Sequence, residues 1–223
     1  YGAHPLPDSF LQQVRALTSA RDVLLICDEV VTGFRVAPGG VQERAAVAAD
    51  LTAWAKIVAG GLPGGAVGGR EAILRHLAFG DEAWNKAQKI VHQGTFNANP
   101  LSAAAGIAAL NIVRTGAPQQ HATAMAQRLI AGCNDVLRQH RRASSVVYGD
   151  ASIFHVVLDA STPFAPGEFA AAVPGAELKR GGSAATQRLF RLALLNHGVD
   201  LMRGKSGFVS AAHTPADIDA TIA

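Results

Sequence analysis

Val23-Leu24-Leu25-Ile26-Cys27 is an unbroken apolar run, preceded by Arg21-Asp22 and ended abruptly at Asp28-Glu29. A short run without alternation suits a strand buried on both faces, as in a parallel sheet covered by helices. A second run, Leu51 to Ala55, ends in the same way at Lys56. Two such runs among helical segments point to an α/β fold. Ligands of open α/β sheets bind outside the carboxyl ends of the strands. Asp28 and Lys56 are therefore expected to face one crevice.

The elements around these strands are legible from local signals. Residues 8–20 carry a helical pattern with Phe10, Leu11, Val14 and Leu17 on one side. Gly60-Gly61-Leu62-Pro63-Gly64-Gly65 is a turn-rich loop, followed by a short strand over Ala66 to Gly69 and a helix over Glu71 to Leu77. Asn99-Pro100 opens a helix that runs to Val113, with Asn99 as N-cap, Pro100 in the first turn and Gly116 suited to its C-terminal cap. The small residues Ala103, Ala104, Ala105 and Gly106 allow that helix to approach another backbone closely. Pro118 starts an amphipathic helix marked by Ala122, Met125, Leu129, Cys133 and Val136.

After that helix the pattern changes. Val146 to Tyr148 and Ile153 to Leu158 read as strands around Gly149-Asp150. Residues 160–184, rich in Ala, Gly and Pro, are left unassigned. Gln187 to Asn196 reads as a helix closed by Gly198, Phe208 to Ala212 as a strand, and Thr214 as the N-cap of a last helix. The expected organisation is an α/β unit over 1–118 and a smaller α+β unit over 119–223.

Composition narrows the function classes. Apolar residues make up 49% of 223 and charged residues 17%, which describes a packed chain rather than a disordered one. The formal net charge is only +3, and no basic run exceeds Arg141-Arg142, so a nucleic-acid partner has no support. No stretch is apolar and long enough to span a membrane. Cys27 and Cys133 each sit in an apolar stretch outside any metal-binding spacing. No metal is expected, and reduced thiols in a cytoplasmic protein are.

A lysine and an aspartate at neighbouring strand ends suit a pyridoxal cofactor. The amine forms a Schiff base with the aldehyde, and the carboxylate keeps the pyridine nitrogen protonated so that the ring accepts electrons. Taken singly, Asp28 reads equally well as a strand-end carboxylate capping the next turn, and Lys56 as a solvated surface lysine. The glycines at 60–69 contain neither GxGxxG nor a Walker ending, so a nucleotide cradle is not indicated. His213 directly precedes a helix cap and is expected to be structural.

Three segments carry a resemblance. Asp28-Glu29-Val30-Val31-Thr32-Gly33-Phe34-Arg35 resembles the DEVxTGFR segment of the class III aminotransferases, pyridoxal-phosphate (PLP) enzymes of fold type I. Asp50 to Pro63, with Lys56-Ile57-Val58-Ala59-Gly60-Gly61 at its centre, is similar to their lysine segment, and Gly94-Thr95-Phe96-Asn97-Ala98-Asn99-Pro100 to their GTxxxNP segment. The tail from Gly207 to Asp219 looks most like the glutamate-1-semialdehyde 2,1-aminomutase branch.

The resemblance implies that residues 1–118 are the later part of a PLP-binding large domain, mostly parallel sheet with flanking helices, and 119–223 the C-terminal small domain. It implies that Lys56 holds PLP and shuttles a proton between substrate and cofactor. Asp28 pairs with the pyridine nitrogen, and Val30 packs on the ring. Thr95 donates to the phosphate at the site of the neighbouring subunit, so a homodimer is implied. The implied reaction is transfer of an amino group between a small-molecule amino donor and a carbonyl acceptor. The alternatives are the intramolecular transfer of the aminomutases, another PLP reaction such as racemisation or decarboxylation, and a non-catalytic remnant that only dimerises.

Two departures shape these expectations. The family's chains are longer, and their N-terminal half supplies the phosphate-binding turn and the aromatic that stacks on the ring. The stretch opening Tyr1-Gly2-Ala3-His4-Pro5 reads like protein interior. The chain is thus expected to be a C-terminal fragment that does not assemble a competent site alone. In addition, the aminomutases carry a glutamate before the Gly-Phe pair, whereas Leu201-Met202-Arg203-Gly204-Lys205-Ser206-Gly207 is shorter and basic. Arg203 or Lys205 is a candidate for a substrate carboxylate, with a solvated loop cation as the ordinary alternative.

Overall fold

The computed structural model describes His4, residues 6–169 and residues 173–223. The opening segment read as protein interior lies largely outside the described residues, as does the portion 170–172 of the unassigned stretch. The chain divides into two compact units, Pro7–Gly116 and Ala117–Ala223, the latter joined by His4 and Leu6.

The Pro7–Gly116 unit contains α1 (Phe10–Ala20), β1 (Ile26–Asp28), α2 (Gly40–Ala45), β2 (Leu51–Ala55), β3 (Gly65–Gly69), α3 (Glu71–Leu74), α4 (Glu82–Ala87) and α5 (Pro100–Val113). Its sheet has the order β1-β2-β3. β1 runs parallel to β2, with Ile26 opposite Leu51 and Asp28 opposite Ala53. β2 runs antiparallel to β3, from Leu51 opposite Gly69 to Ala55 opposite Gly65. Among the described residues the sheet therefore has one parallel and one antiparallel pairing.

The first apolar run is corrected. The strand covers Ile26–Asp28 rather than Val23–Cys27. Only Leu25 of the run is buried, while Val23, Leu24 and Ile26 are 54%, 50% and 63% exposed. An apolar run reports that apolar surface exists, not what lies against it. The expected helix over Glu71–Leu77 is α3 continued by a 3-10 turn at Arg75–Leu77. Helix α4 was not foreseen, although Asp81 caps it by accepting from the Trp84 amide at 2.8 Å.

Asp50 holds one edge of this unit together. Its carboxylate accepts from the Leu25 amide at 2.8 Å, from Arg15 of α1 at 2.8 Å and from Arg70, just after β3, at 3.0 Å. Trp54 explains two glycines. A β-carbon on Gly33 would lie 2.6 Å from one edge of its indole, and one on Gly68 2.6 Å from another.

The Ala117–Ala223 unit contains α6 (Ala117–Gln139), β4 (Val146–Asp150), β5 (Ile153–Val157), α7 (Gly175–Arg180), α8 (Ala184–Asn196), β6 (Ser206–Phe208) and α9 (Pro215–Ile222). The sheet β4-β5-β6 is antiparallel throughout. Strand alternation divides its side chains between two buried clusters. Val147, Phe154 and Val156 join Ala126 and Leu129 of α6 and Ile218 of α9. Val146, Tyr148 and Val157 join Val173 and Leu178. Asn134 of α6 pins β4, with its Nδ2 donating to the Val147 carbonyl at 2.7 Å and its Oδ1 accepting from the Val147 amide at 2.8 Å.

The C-terminal cap was read closely: Thr214 and Asp217 form a capping box on α9. The last strand was not. It covers Ser206–Phe208 instead of Phe208–Ala212, because the Ser210 amide turns back to donate to His213 Nδ1 at 3.1 Å. His213 is structural, as expected: its carbonyl also accepts from His121 at 2.8 Å. Helix α7 lies inside the stretch left unassigned.

Candidate active site

The site begins where β1 and β2 end. Asp28 is the last residue of β1 and lies in register with Ala53, three residues before Lys56. Asp28 Oδ1 accepts from the Val30 amide at 3.0 Å. The turn-capping role considered for Asp28 is therefore real, and it engages one oxygen. Among the described residues Oδ2 has no partner, and Asp28 is exposed. Val30, two residues on, is half-buried.

Lys56 opens a 3-10 turn, Lys56–Ala59, immediately after β2. Its backbone is left-handed, with φ +56°, next to an extended Ala55. A non-glycine residue held there costs about 1–2 kcal/mol, and such conformations persist where the surroundings enforce them. The enforcing contacts come from α5. A β-carbon on Gly60 would sit 2.3 Å from the Ala105 carbonyl oxygen, and one on Gly106 2.5 Å from the Val58 carbonyl oxygen. Ser102 donates to the Pro63 carbonyl at 2.8 Å. The small residues of α5 thus meet the backbone that follows Lys56, the close approach expected from their size. Among the described residues the Lys56 ammonium has neither an ion pair nor a hydrogen bond, and the side chain is exposed.

Thr95 lies in an exposed turn at residues 95–98 that leads into α5. Asn99 caps α5 by accepting from the Leu101 amide at 2.9 Å, as read from the sequence. Asp28, Val30 and Lys56 share one end of the sheet. Thr95 stands apart on the approach to the helix that braces the Lys56 turn.

Sequence reasoning missed Glu29. It is 2% exposed and sits beneath the loop from Val30 to Gly40. Its backbone amide donates to Ala53 at 2.9 Å, and its carbonyl accepts from the Gly33 amide at 2.9 Å. Its carboxylate accepts from the Thr32 hydroxyl and from the amides of Val41 at 3.1 Å and Gln42 at 3.0 Å. A carboxylate at these first-turn amides complements the positive end of α2. Gln42 extends the brace to β2, donating to Thr52 Oγ1 at 3.0 Å. The available signal was an acid directly after the strand end, paired with Gly39-Gly40 ten residues on.

Lys205 is removed from the substrate-binding candidates. Its ammonium donates to the carbonyls of Lys179 and Arg180, which closes the C-terminus of α7. Burial lowers its pKa from the usual lysine range.

Residues 1–156 match the family model described as aminotransferase class-III. The chain belongs to the class III aminotransferases. Pyridoxal phosphate is the cofactor of this class. A class III relative from Archaeoglobus fulgidus, glutamate-1-semialdehyde 2,1-aminomutase, is 35% identical over 97% of the chain and 48% of its own length. An omega-transaminase from Sphaerobacter thermophilus is similar in structure, with 29% identity and a TM-score of 0.78, covering 99% of this chain and 47% of that one. A variant of the Pseudomonas aeruginosa PAO1 glutamate-1-semialdehyde-aminomutase in complex with PMP shows 25% identity and a TM-score of 0.78, over 98% and 47% of the two chains. The class III chain described here spans about half the length of the curated relatives it matches. Its donor set suits the class cofactor: an unpartnered amine and a carboxylate with one open oxygen, on the ends of paired parallel strands.

Proposed function

We propose that the chain carries the lysine half of a PLP-dependent amino-transfer site, with Lys56 as the residue that holds the cofactor. The observation that carries this reading is the juxtaposition of Lys56, strained and without a partner among the described residues, with Asp28 at the end of the adjacent parallel strand. PLP, when bound, acts as an electron sink for the bond broken at the substrate carbon.

The chain's own residues have separate tasks. Lys56 Nζ would hold the cofactor and carry a proton at the substrate carbon. Asp28 Oδ2 would accept from the protonated ring nitrogen while Oδ1 stays with the Val30 amide, a bond that restrains the carboxylate. Val30 packs against the ring. Thr95 donates to the phosphate at the site of a neighbouring subunit in a homodimer. The units Pro7–Gly116 and Ala117–Ala223 serve as the later part of the large domain and as the small domain. The free cysteines, Cys27 and Cys133, agree with a cytoplasmic location.

The reaction is transfer between a small-molecule amine or amino acid and a keto or aldehyde acceptor. Intramolecular transfer is a second reading, favoured by the 35% identity to an aminomutase. Incubation with PLP, an amino donor and a keto acceptor, with the N-terminal half of a class III relative supplied in trans, followed by product analysis, tests the proposal. Transfer that disappears in Lys56→Ala supports it. Isomerisation of glutamate-1-semialdehyde without an external acceptor selects the second reading. Absence of transfer together with dimerisation supports a non-catalytic role.

A further inference from the structure

Three arginines converge on one cleft of the Ala117–Ala223 unit. Arg188 and Arg191 lie one turn apart on α8, and Arg203 lies on the turn before β6. Together with Gln187, Leu192 and Leu195 they line a cavity of about 390 Å³. No acidic residue lines it. Among the described residues none of the three guanidiniums has an ion pair or a hydrogen bond, and all three are exposed.

The cleft is held in shape by the backbone. Arg203 and Gly204 are both left-handed, with φ of +55° and +67°. A β-carbon on Gly204 would lie 3.0 Å from Arg191 Cβ and 3.5 Å from its Cγ and Cδ. The stem of Arg191 therefore runs along the Gly204 backbone, which brings the turn carrying Arg203 against α8. Lys205 anchors the far side of that turn to the end of α7.

Like charges gathered without a counter-charge repel one another, and a ligand of opposite charge relieves that repulsion. Guanidinium groups present planar forks that match carboxylate and phosphate oxygens. The volume falls within the range of small-molecule sites, and the cleft is open to solvent on one side. Leu192 and Leu195, 50% and 45% exposed, give the same cleft an apolar wall. We infer that this cleft binds a small polyanionic molecule, a di- or tricarboxylate or a phosphorylated compound, through Arg188, Arg191 and Arg203. The inference stands on the Ala117–Ala223 unit alone and does not depend on the reading of Lys56.

Calorimetric titration of the full chain at low ionic strength tests it, with citrate in one arm and inorganic pyrophosphate in another. The expected result is saturable one-site binding of at least one probe with a Kd below about 1 mM. The stronger probe distinguishes carboxylate from phosphate recognition. The triple variant Arg188→Gln, Arg191→Gln, Arg203→Gln is expected to lose at least about tenfold in affinity, and Arg188→Gln alone a measurable part of it. Circular dichroism checks that both variants stay folded. A control triple of equal charge change, Arg21→Gln, Arg114→Gln, Arg141→Gln, is expected to bind as the parent does. Failure of both probes to saturate overturns the inference. So does equal loss in the two triples, which marks general charge attraction, or tight binding of an oligonucleotide with neither small anion bound.

Discussion

Gly60 meets the carbonyl of Ala105 so closely that a β-carbon would come within 2.3 Å of its oxygen, and Gly60 is itself left-handed at φ +62°. Gly61, next in the chain, has φ +90° and open space around it. Gly60→Ala therefore meets both a backbone clash and conformational strain, while Gly61→Ala meets strain alone. The expected costs are about 3 kcal/mol or more for the first and about 1 kcal/mol for the second. Urea denaturation of the two variants beside the parent gives the difference directly.

Glu29 is the buried carboxylate under the loop that follows Asp28. Glu29→Ala removes the acceptor of the Thr32 hydroxyl and of the Val41 and Gln42 amides. Each buried donor left unsatisfied costs about 1–3 kcal/mol, so a loss of about 3 kcal/mol or more is expected. Glu29→Gln retains one acceptor oxygen and is expected to lose less. Midpoints equal to the parent's for both variants in chemical denaturation would show that the carboxylate does not brace the loop.

Asp50 gives the Pro7–Gly116 unit its acid sensitivity. The Leu25 amide, then the Arg15 and Arg70 side chains, hold its pKa well below the usual carboxylate range. A depressed folded pKa means that the unfolded chain takes up the proton first. The stabilisation is thus complete above an unfolded pKa of about 3.9 and is lost as pH falls toward the folded value. Asp50→Asn is expected to be less stable at neutral pH and to begin approaching the parent only as pH falls below about 4. Acid titration of both proteins, followed by circular dichroism, checks the convergence.

His155 acts in the other unit and at a higher pH. It is 7% exposed on β5, and burial is the main cause that pushes its pKa down to about 4. An unfolded histidine takes up a proton near pH 6.5. The folded unit therefore loses stability as pH falls from about 6.5 to about 4, and holds steady above that window. His155→Gln is expected to flatten this slope while lowering the plateau. Thermal melts between pH 4 and pH 8 separate the two effects.

Much of this was legible in the sequence because it depends on local chemistry. Asn99-Pro100 and the Thr214 box announce their helices through side chains that satisfy nearby amides. Two charges after two apolar runs located the strand ends at Asp28 and Lys56. What covers a surface is not local: Val23, Leu24 and Ile26, read as buried, are exposed in this chain, which spans about half the length of its relatives. The left-handed Lys56 was equally out of reach, since positive φ is ordinarily expected of glycine or asparagine. Its conformation follows from a helix that starts 44 residues later and packs on the next turn. Lys205 read as a loop cation because the carbonyls that hold it belong to a helix that composition concealed.

The most direct test of the central proposal is borohydride reduction of the chain after incubation with PLP and the N-terminal half of a class III relative supplied in trans, with the modified lysine identified by peptide mass spectrometry. Lys86, Lys89, Lys179 and Lys205 serve as internal competitors. Lys205 is tied to two carbonyls, and Lys89 lies 4.2 Å from the Phe79 ring centroid. Lys56 has no such partner and is predicted to carry the label, with Lys56→Ala left unmodified at the same PLP concentration. Labelling spread evenly over the other lysines, or unchanged in Lys56→Ala, would contradict the assignment.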